Sequence, residues 1–381
     1  MPSKDLRNRV AVVGVGNTTF GRLPGHSPYD LGVWAFKEAL ADAGLRASDV
    51  DGLIVNRIPD YQRFGETVGI DPGFAAITPG QGRMSGASIE TAVAVIAAGL
   101  ATTVALVYGN DGRSAGAKYG GDGDGYGSGG AGQWFPYGMT SPGAVHAMMF
   151  RQHMARYGTT TRQLAEVGVA FRTHASLNPN AVMREPITID QHQDSKFICD
   201  PLRLFDYCLI NDGGVCMILT TAERARDRAK PPVYVRGFSQ ATRLRDSTFP
   251  DEDFWYAPLE KAGREVREMA GVSHDDLDAL MIYDNFSPTV LFSLEGLGFC
   301  GRGESGAFVE GGTLSLGGRW PTNTSGGHMS ESYMQGWALN VEAVRQLRGE
   351  CGARQVPGAK LIQYACAAPL VTSIVYGSEG R

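Results

Sequence analysis

Short apolar runs alternate with amphipathic stretches along most of the chain. The runs "VAVVGVG" at 10–16 and "VYVRGFS" at 233–239 are typical of buried β-strands. Ser27 and Pro28 favour the start of a helix and Gly44 favours its end, so a helix is predicted between them. Strands that alternate with helices of this length predict an α/β fold.

Two stretches of the chain repeat each other. Residues 43–55 read "AGLRASDVDGLIV" and residues 270–282 read "AGVSHDDLDALMI", and they align without a gap at an offset of 227. Chance similarity of two helix–strand units is one interpretation. We favour a second, in which two α/β halves arose by duplication. The charged, proline-ended stretch at 220–232 then separates a first half, 1–225, from a second half, 226–381.

The first half contains a predicted insertion at about 110–200. Within it, "GGDGDGYGSGGAG" at 120–132 is too rich in glycine to pack a core, which predicts a mobile loop or lid. A Gly-x-Gly-x-x-Gly pattern occurs at 125–130 but does not lie between a strand and a helix. It therefore does not indicate a dinucleotide site.

The composition excludes several classes of protein. Apolar residues make up 43% of the chain, the net charge is -5 and the pI is about 5.8, which argues against nucleic acid as a partner. The uncharged stretch 91–110 is interpreted as a buried helix followed by a strand at about 104–108, not as a membrane span.

The N-terminus has no signal-peptide pattern, and the six cysteines form no C-x-x-C pair. We expect a cytoplasmic protein with reduced thiols and no zinc site in this chain.

Four motifs, in order along the chain, carry a resemblance to a known family. They are "RMSGASIETAVAVIAAG" at 83–99, "FDYCLINDGGVCMILT" at 205–220, "YDNFSPTVLFSLEGLGFC" at 283–300 and "NTSGGHMSESYMQGWALNVEAVRQLRGECGARQV" at 323–356. With the repeated halves, they resemble the thiolase superfamily, specifically its sterol-carrier-type, lipid-transfer-protein-like branch. The resemblance implies two β-α-β halves in a five-layered αβαβα sandwich and an acyl-coenzyme A thioester as substrate. It also implies a homodimer formed through the sheet of the first half.

The nucleophile of the thiolases is missing. Thiolases carry a reactive cysteine just before the helix that is here expected to start near Ser88, at a position that corresponds to Arg83 or Met84. A helix N-terminus suits that cysteine because it lowers the thiol pKa. No cysteine precedes Cys199, so the nucleophile is absent in either register. Ser85 is interpreted as a helix cap, with a serine nucleophile as the alternative.

Two histidines of the family are replaced by tyrosines. Where the branch typically has His-Asp-x-Phe, this chain reads Tyr-Asp-Asn-Phe from Tyr283. The family pattern of Gly-Gly, four residues and Gly-His-Pro, counted from Gly326-Gly327, brings Tyr333 to the second histidine. Together with the missing cysteine, this resembles the thiolase-like aldolases of steroid side-chain degradation. That resemblance implies retro-aldol cleavage of a β-hydroxyacyl-CoA, tyrosines in the pocket, and a complex with a small zinc-ribbon and OB-fold protein.

Retro-aldol cleavage needs a base for the β-hydroxyl proton and an acid for the α-carbon, but no acyl-enzyme. Tyr283 and Tyr333 are predicted to be this acid/base pair, and which is the base stays open because a free tyrosine has a pKa of about 10. His328, on the same loop, is a further catalytic candidate or a solvated histidine. Cys366 is a candidate α-carbon acid or an inert buried thiol. Glu331 is expected at the surface, with a carboxylate that orients a neighbouring side chain or raises its pKa as the alternative.

The predicted function is that of an aldolase. It cleaves a β-hydroxyacyl-CoA with a bulky, steroid-like side chain into a short acyl-CoA, such as propionyl-CoA, and a ketone or aldehyde. Coenzyme A is part of the substrate, no cofactor is expected in this chain, and any zinc is expected in the partner protein. The alternatives are a thiolase-type acyltransferase with another nucleophile and a non-catalytic acyl-CoA or lipid-binding subunit. The "NDGG" at 211–214 is interpreted as a structural turn.

Overall fold

The computed structural model describes residues 4–80, 82–117, 139, 141–244, 251, 253–367 and 369–380. The predicted mobile loop at 120–132 lies outside the described residues. The strands are β1 (Val10–Asn17), β2 (Gly52–Asn56), β3 (Phe74–Thr78), β4 (Thr103–Asn110), β5 (Phe197–Cys199), β6 (Leu202–Arg203), β7 (Gly213–Thr221), β8 (Val233–Thr242), β9 (Ala279–Ile282), β10 (Leu361–Cys366) and β11 (Leu370–Gly377). The α-helices are α1 (Pro28–Ala43), α2 (Tyr61–Val68), α3 (Met84–Ala97), α4 (Pro142–Tyr157), α5 (Thr161–Ser176), α6 (Ile189–Asp194), α7 (Ala222–Ala225), α8 (Asp253–Ala270), α9 (Ser287–Gly296), α10 (Ser305–Val309), α11 (Gly327–Ser330) and α12 (Trp337–Arg348).

The sheet has the same topology in each half. In the part of the chain that the structure describes, nine strands join in the order β3-β2-β4-β7-β1-β8-β11-β10-β9. The run β2-β4-β7-β1 has one parallel pair followed by two antiparallel pairs, and the run β9-β10-β11-β8 has the same directions in the same order. The halves meet where β1 and β8 pair, at Ala11↔Tyr234 and Val12↔Val233. The predicted duplication is therefore confirmed, whereas the division at residue 225 stays a prediction.

Helices cover and separate the two halves of the sheet. Helix α1 packs on the outer face of the first half, where Phe36 and Leu53 share a core. Helices α3 and α12 form a middle layer whose residues, such as Val93 and Val341, contact strands of both halves. Helix α8 covers the outer face of the second half with Leu259. The predicted five-layered sandwich is thus confirmed, and its middle layer holds the candidate site.

Helix α1 begins and ends where the sequence predicts. Ser27 accepts a hydrogen bond from the Asp30 backbone N–H, and the Asp30 carboxylate accepts one from the Ser27 backbone N–H, which makes a capping box. Gly44 ends the helix with a left-handed backbone, at φ 63°. Helix α8 ends in the same way at Gly271, at φ 67°. The repeat therefore preserves the helix end as well as the strand that follows it.

Helix α3 corrects one expectation. It begins at Met84, not near Ser88, and Ser85 lies in its first turn and is not its cap. The first turn packs closely on the second half, because a side chain at Gly86 would overlap the hydroxyl of Thr372 on β11. Strand β4 then follows, so the predicted helix-then-strand order of the uncharged stretch is confirmed. None of the helices within the described residues combines the length and apolar character needed to cross a membrane.

The insertion of the first half reaches across to the second half. Helix α5 contacts α9 and α11, and α4 contacts α9. Asn178, just after α5, donates a hydrogen bond to the Ser325 carbonyl at 3.0 Å. The insertion therefore supports the loop between β9 and α12, on which much of the candidate site depends.

Candidate active site

The two predicted tyrosines meet in the middle layer. Tyr283 directly follows β9, and Tyr333 lies in the loop between α11 and α12. Their hydroxyl oxygens are 2.9 Å apart, within hydrogen-bond distance. The rings are nearly perpendicular, at an interplanar angle of 72°. The structure thus brings together two phenols that lie far apart in the sequence.

The two phenols have different surroundings. Tyr283 is 5% exposed, whereas Tyr333 is only partly buried. Burial, reinforced by the neighbouring Tyr333 and Cys366, raises the pKa of Tyr283 well above its ordinary value. Tyr283 therefore keeps its proton at neutral pH and can serve as a hydrogen-bond donor.

His328 lies between the tyrosines. Its side chain is fully buried, so the solvated alternative is wrong. The ring centroid is 4.6 Å from that of Tyr283 and 5.3 Å from that of Tyr333. Nε2 accepts a hydrogen bond from the Gly336 N–H at 2.9 Å, so it carries no proton and the proton of the neutral ring is on Nδ1. Nδ1 lies 3.1 Å from Asp284 Oδ1, off the line of a hydrogen bond, so that contact is electrostatic.

Asp284 anchors the start of the same loop. Its carboxylate accepts hydrogen bonds from the backbone N–H groups of His328, at 2.9 Å, and Met329, at 3.2 Å. A side chain at Gly327 would overlap this carboxylate. The residue beside Tyr283 therefore holds the loop that carries Tyr333, a role that sequence reasoning missed although "YDNF" contained the signal.

The first half holds Tyr333 by its backbone. The Tyr333 N–H donates to Asn211 Oδ1 at 2.7 Å. The Asn211 carbonyl in turn accepts from Asn110 Nδ2 at 2.9 Å. The "NDGG" segment is therefore more than a turn into β7, because its asparagine fixes the position of a candidate catalytic residue.

Gly82 brings the first half against the tyrosine pair. A Cβ atom at this position would overlap the Tyr283 hydroxyl and lie 3.2 Å from the Tyr333 hydroxyl. Gln335 also joins this turn to the second half through a hydrogen bond from Nε2 to the Gly80 carbonyl, at 3.3 Å. The turn where the family carries its nucleophile is thus next to the Tyr283 phenol. No local sequence signal could have located this contact.

Cys366 is the nearest strand neighbour of Tyr283. Ile282 on β9 pairs with Ala365 on the parallel strand β10, and the Tyr283 N–H donates to the Ala365 carbonyl at 2.9 Å. Burial raises the pKa of the Cys366 thiol to about 12, although the charge of Arg83 opposes this. Cys366 is therefore a protonated thiol, suited to give a proton and not to attack a thioester. Among the described residues, no three His, Cys, Asp or Glu side chains are grouped as ligands for a metal ion.

Glu331 is buried, so its expected surface position is wrong. Its carboxylate accepts hydrogen bonds from Ser325 Oγ at 2.6 Å and Asn178 Nδ2 at 3.0 Å. Burial, reinforced by the neighbouring Glu342, raises the pKa of Glu331 to about 7. The cause lies in the insertion, because the Val182 N–H pairs with the Glu331 carbonyl at 3.0 Å and covers this side of the loop.

Known proteins are similar to this chain in sequence and in fold. Residues 242–368 match the family described as thiolase C-terminal domain-like. The chain is 35% identical over 360 residues to a steroid side-chain-cleaving aldolase of Thermomonospora curvata, with 90% of this chain and 91% of the relative covered. It is also 35% identical to the 17-hydroxy-3-oxo-4-pregnene-20-carboxyl-CoA lyase of Mycobacterium tuberculosis, with 90% and 92% covered.

A solved structure extends this likeness to the whole fold. The Ltp2-ChsH2(DUF35) aldolase superposes with a TM-score of 0.90 at 31% identity, covering 98% of each chain. These relatives confirm the predicted family and the predicted reaction class, an aldolase on the thiolase fold. The chain belongs to the thiolase superfamily, in the branch that contains the steroid side-chain-cleaving aldolases.

Proposed function

We propose that this chain cleaves a β-hydroxyacyl-CoA by a retro-aldol reaction at Tyr283 and Tyr333. The observation that carries the proposal is the 2.9 Å contact between their hydroxyls, inside a buried layer where the thiolase nucleophile is missing. The relatives are named for a steroid side chain and for a pregnene carboxyl-CoA, which supports a bulky polycyclic acyl group. The products are a short acyl-CoA, such as propionyl-CoA, and a ketone or aldehyde.

The two tyrosines take different roles because their burial differs. Tyr283, whose pKa is raised by burial, keeps its proton and donates a hydrogen bond to the Tyr333 oxygen. A donated hydrogen bond favours the ionised form of Tyr333, which then acts as the base for the β-hydroxyl. As the Cα–Cβ bond breaks, its electron pair forms the thioester enolate, and the Cys366 thiol protonates the α-carbon. Proton transfer from Tyr333 through Tyr283 to the sulfur restores the starting state.

The alternative functions have less support. An acyltransferase needs a thiolate or an activated hydroxyl, but the pKa of Cys366 is raised to about 12 by burial. Ser85 bonds to the Tyr364 hydroxyl at 3.0 Å and has no basic partner there. A non-catalytic binding subunit would have no need for a hydrogen-bonded pair of phenols in the middle layer.

Removal of each tyrosine hydroxyl tests the proposal. Tyr283→Phe and Tyr333→Phe should each lower kcat for release of the short acyl-CoA by at least about 100-fold, because proton transfer contributes that much or more. Tyr376→Phe is the matched control, since it removes another fully buried hydroxyl of the same layer, which donates to Asn340 Oδ1 at 2.8 Å. Product release is measured by liquid chromatography and mass spectrometry. Full turnover in both site variants would contradict the assignment.

The proposed homodimer uses the edge strand of the first half. Strand β3 lies at the end of the described sheet, contains no charged residue, and exposes 49% of Ile77. An uncharged edge is ready to pair with another strand. Ile77→Lys should therefore yield a monomer by light scattering, with Lys37→Glu as an exposed control. An unchanged dimer mass, or a monomeric wild-type protein, would exclude this interface.

We also propose a small zinc-ribbon and OB-fold protein as partner, with zinc in the partner and not in this chain. The solved neighbour is named for two components, Ltp2 and ChsH2(DUF35), which supports a two-protein enzyme. Co-expression with such a protein from the same genome should give a stable complex with faster cleavage. An equal rate without the partner would contradict the proposal, and metal analysis of each component locates the zinc.

A further inference from the structure

The side-chain amide of Asn285, two residues after Tyr283, is held in one orientation. Its Oδ1 accepts a hydrogen bond from the Thr289 hydroxyl at 2.9 Å, and its Nδ2 lies 3.4 Å from His146 Nε2 on α4. Both partners are buried, whereas Asn285 is only partly buried. The amide is therefore fixed on its buried side and has its other side toward open space.

The direction of these hydrogen bonds follows from the protonation of His146. The Pro142 carbonyl is 2.8 Å from His146 Nδ1, and a carbonyl can only accept, so Nδ1 carries a proton. Burial, helped by the charge of Arg83, lowers the pKa of His146 to about 4, although the bond to Pro142 opposes this. The ring is therefore neutral at pH 7, and its Nε2 can only accept. Asn285 Nδ2 is the donor, which leaves Oδ1 to accept from Thr289.

The amide nitrogen has a second proton to donate. A side-chain amide carries two N–H bonds, and one of them is directed to His146. Across the described parts of the chain, the second N–H has no acceptor. Because Asn285 is partly exposed, an oxygen atom of a ligand can reach this N–H. Asn285 thus presents a fixed hydrogen-bond donor that is free for a substrate.

One short segment of the first half holds both Asn285 and Tyr333. The Cys208 N–H donates to the Asn285 carbonyl at 3.0 Å, and the Asn211 side chain accepts from the Tyr333 N–H at 2.7 Å. Three residues of chain span at most about 11 Å, so these two anchors lie within the length of one acyl substrate. Residues 207–210 are each partly exposed, so the segment borders open space between the two anchors.

The charge of Arg83 connects the amide to the tyrosine site from another direction. Arg83 follows Gly82, the residue that leaves room for the two phenols. Its charge lowers the pKa of both His146 and Cys366. Both side chains therefore lie within electrostatic reach of the same turn. The histidine that orients Asn285 is thus close to the thiol that protonates the α-carbon in the proposed reaction.

The proposed reaction leaves one developing charge without a partner. As the Cα–Cβ bond breaks, negative charge develops on the thioester oxygen, and a fixed donor aimed at that oxygen lowers the barrier. Tyr333 acts on the β-hydroxyl and Cys366 on the α-carbon, so each is committed to another atom. The remaining requirement is a donor that stays in place and keeps its proton, which describes the amide of Asn285.

We propose that Asn285 is a further catalytic residue, which donates its second N–H to the thioester oxygen, and that His146 is a positioning residue for this amide. The inference rests on the proposed function. The electron pair of the Cα–Cβ bond moves into the enolate, and the charge on its oxygen is stabilised by the N–H. The N–H bond itself does not break. The carbonyl forms again when the α-carbon is protonated.

Removal of the amide tests the catalytic role. In the enzyme co-expressed with its partner, Asn285→Ala should lower kcat for cleavage about 100- to 1,000-fold, the range for loss of one such donor. KM should stay within about threefold, because the contact strengthens only in the transition state. Asn180→Ala is the matched control, since Asn180 is another partly buried asparagine, whose Nδ2 donates to the Thr18 carbonyl at 3.2 Å. An unchanged kcat in Asn285→Ala, or an equal loss in Asn180→Ala, would overturn the inference.

Hydrogen exchange at the α-carbon separates a role at the enolate from a role at the β-hydroxyl. Propionyl-CoA, which has no β-hydroxyl, is incubated with the enzyme in D2O, and deuterium at its α-carbon is followed by mass spectrometry. Asn285→Ala should lower exchange and cleavage to a similar extent, because both pass through the enolate. Tyr333→Phe should lower cleavage more than exchange. Undiminished exchange in Asn285→Ala, or no exchange by the wild-type enzyme, would count against the assignment.

Replacement of His146 tests positioning and serves as the second variant if Asn285→Ala does not fold. His146→Leu removes the acceptor and should lower kcat about 3- to 10-fold, the value of one neutral hydrogen bond, with KM unchanged. Combined with Asn285→Ala, it should lose no more than Asn285→Ala alone. Additive losses would mean that His146 does not act through the amide. The proposed function fails on a different result, undiminished cleavage in Tyr283→Phe and Tyr333→Phe.

Discussion

The first and second halves of the molecule join strand to helix in the same way. A side chain at Gly14 on β1 would overlap the Ala39 carbonyl of α1, and one at Gly237 on β8 would crowd the Val266 carbonyl of α8. Ala39 and Val266 are separated by the 227-residue offset of the repeat. Close packing of a strand on a helix therefore depends on glycine in both halves. This strand–helix contact is therefore the same in the two halves.

At the next residue of each strand, both halves provide a side-chain acceptor for a backbone N–H, but the accepting atoms differ. The Val15 N–H donates to the Asp42 carboxylate at 2.9 Å, whereas the Phe238 N–H donates to the Met269 sulfur at 3.4 Å. Asp42 and Met269 are again 227 residues apart. The position requires an acceptor for a buried N–H, but not a particular chemical group. Asp42 adds a further ion pair with Arg348, at 2.7 Å.

The halves also differ in side-chain chemistry at the ends of β2 and β9. Asn56 in the first half and Tyr283 in the second are also 227 residues apart. Asn56 bonds to Thr78 Oγ1 at 2.9 Å and accepts from Trp337 at 3.3 Å, so it supports the core. Tyr283 occupies the same place with a phenol that holds a proton. The proton-carrying side chains thus come from the second half, and the first half contributes backbone and space at Gly82.

The largest expected effect on cleavage comes from filling the space beside the Tyr283 hydroxyl that Gly82 leaves open. Gly82→Ala places a methyl group where the Tyr283 hydroxyl lies, so the two phenols must separate. We expect cleavage to fall about 1,000-fold, within the range for loss of a positioned proton-transfer group. Gly80→Ala is the matched control, because its Cβ would lie 3.4 Å from Arg57, an ordinary contact. Steady-state cleavage rates of both variants are the measurement.

A second measurement shows whether the clash is with the phenol. The loss of thermal stability caused by Gly82→Ala should be smaller in a Tyr283→Phe background, since the overlapping oxygen has been removed. Equal losses in the two backgrounds would mean that the first half does not reserve this space for the hydroxyl.

A smaller effect, on the free energy of unfolding, is expected when the acceptors Asp42 and Met269 are replaced. Asp42→Leu removes the acceptor of the Val15 N–H and one of the partners of Lys230 and of Arg348, and should lower the free energy of unfolding by about 3 kcal/mol. Met269→Leu keeps the volume and should cost less than about 1.5 kcal/mol. Urea denaturation at pH 7 measures both. Equal costs would show that the first half gains nothing from its carboxylate.

The Asp42 effect has a defined pH dependence. Burial opposes ionisation, but hydrogen bonds from Lys230, Val15 and Arg348 hold the pKa of Asp42 below its ordinary value of 3.8. A lowered folded-state pKa stabilises the protein above pH 3.8, and this contribution is lost as the pH falls through the folded-state value. The difference between Asp42→Leu and the wild-type protein should therefore shrink in acid.

The sequence predicted what depends on neighbouring residues. Ser27 and Gly44 bound α1 as expected, because a cap and a left-handed end are local features. Tyr283 and Tyr333 were located through the resemblance, because each stands within a short motif where the family has a histidine. These inferences need no knowledge of which segments meet in space.

The sequence did not predict what depends on distant segments. Glu331 looked like a surface carboxylate, but the chain at Asn178 and Val182, from the insertion, covers it. Helix α3 begins at Met84 and not near Ser88, and it contacts strands of both halves. The contact of Gly82 with Tyr283 joins the two halves, and no pattern within either one contains it.

The smallest expected effect concerns a buried carboxylate of the second half. The turn between β3 and α3 in the first half has no acidic residue, whereas the corresponding loop of the second half carries Glu331. Burial raises the pKa of Glu331 from 4.5 to about 7. A raised folded-state pKa means that the native protein binds the extra proton, so stability is lost as the pH rises from about 4.5 through 7. Glu331→Gln should remove this loss and be more stable than wild type at pH 8, on the order of 2 kcal/mol.

The stability difference between the wild-type protein and Glu331→Gln should change with pH, so it is measured over a range of pH values. Melting temperatures of the wild-type protein and Glu331→Gln should converge below about pH 5, because the native carboxyl is then protonated and resembles the amide. Glu185→Gln, an exposed carboxyl of the insertion, should follow the wild-type curve throughout. If Glu331→Gln instead loses stability at pH 8, the ionised carboxylate is worth more to Ser325 and Asn178 than its burial costs. Glu331 would then hold the Tyr333 loop as an anion, and the second half would carry a buried negative charge that the first half lacks.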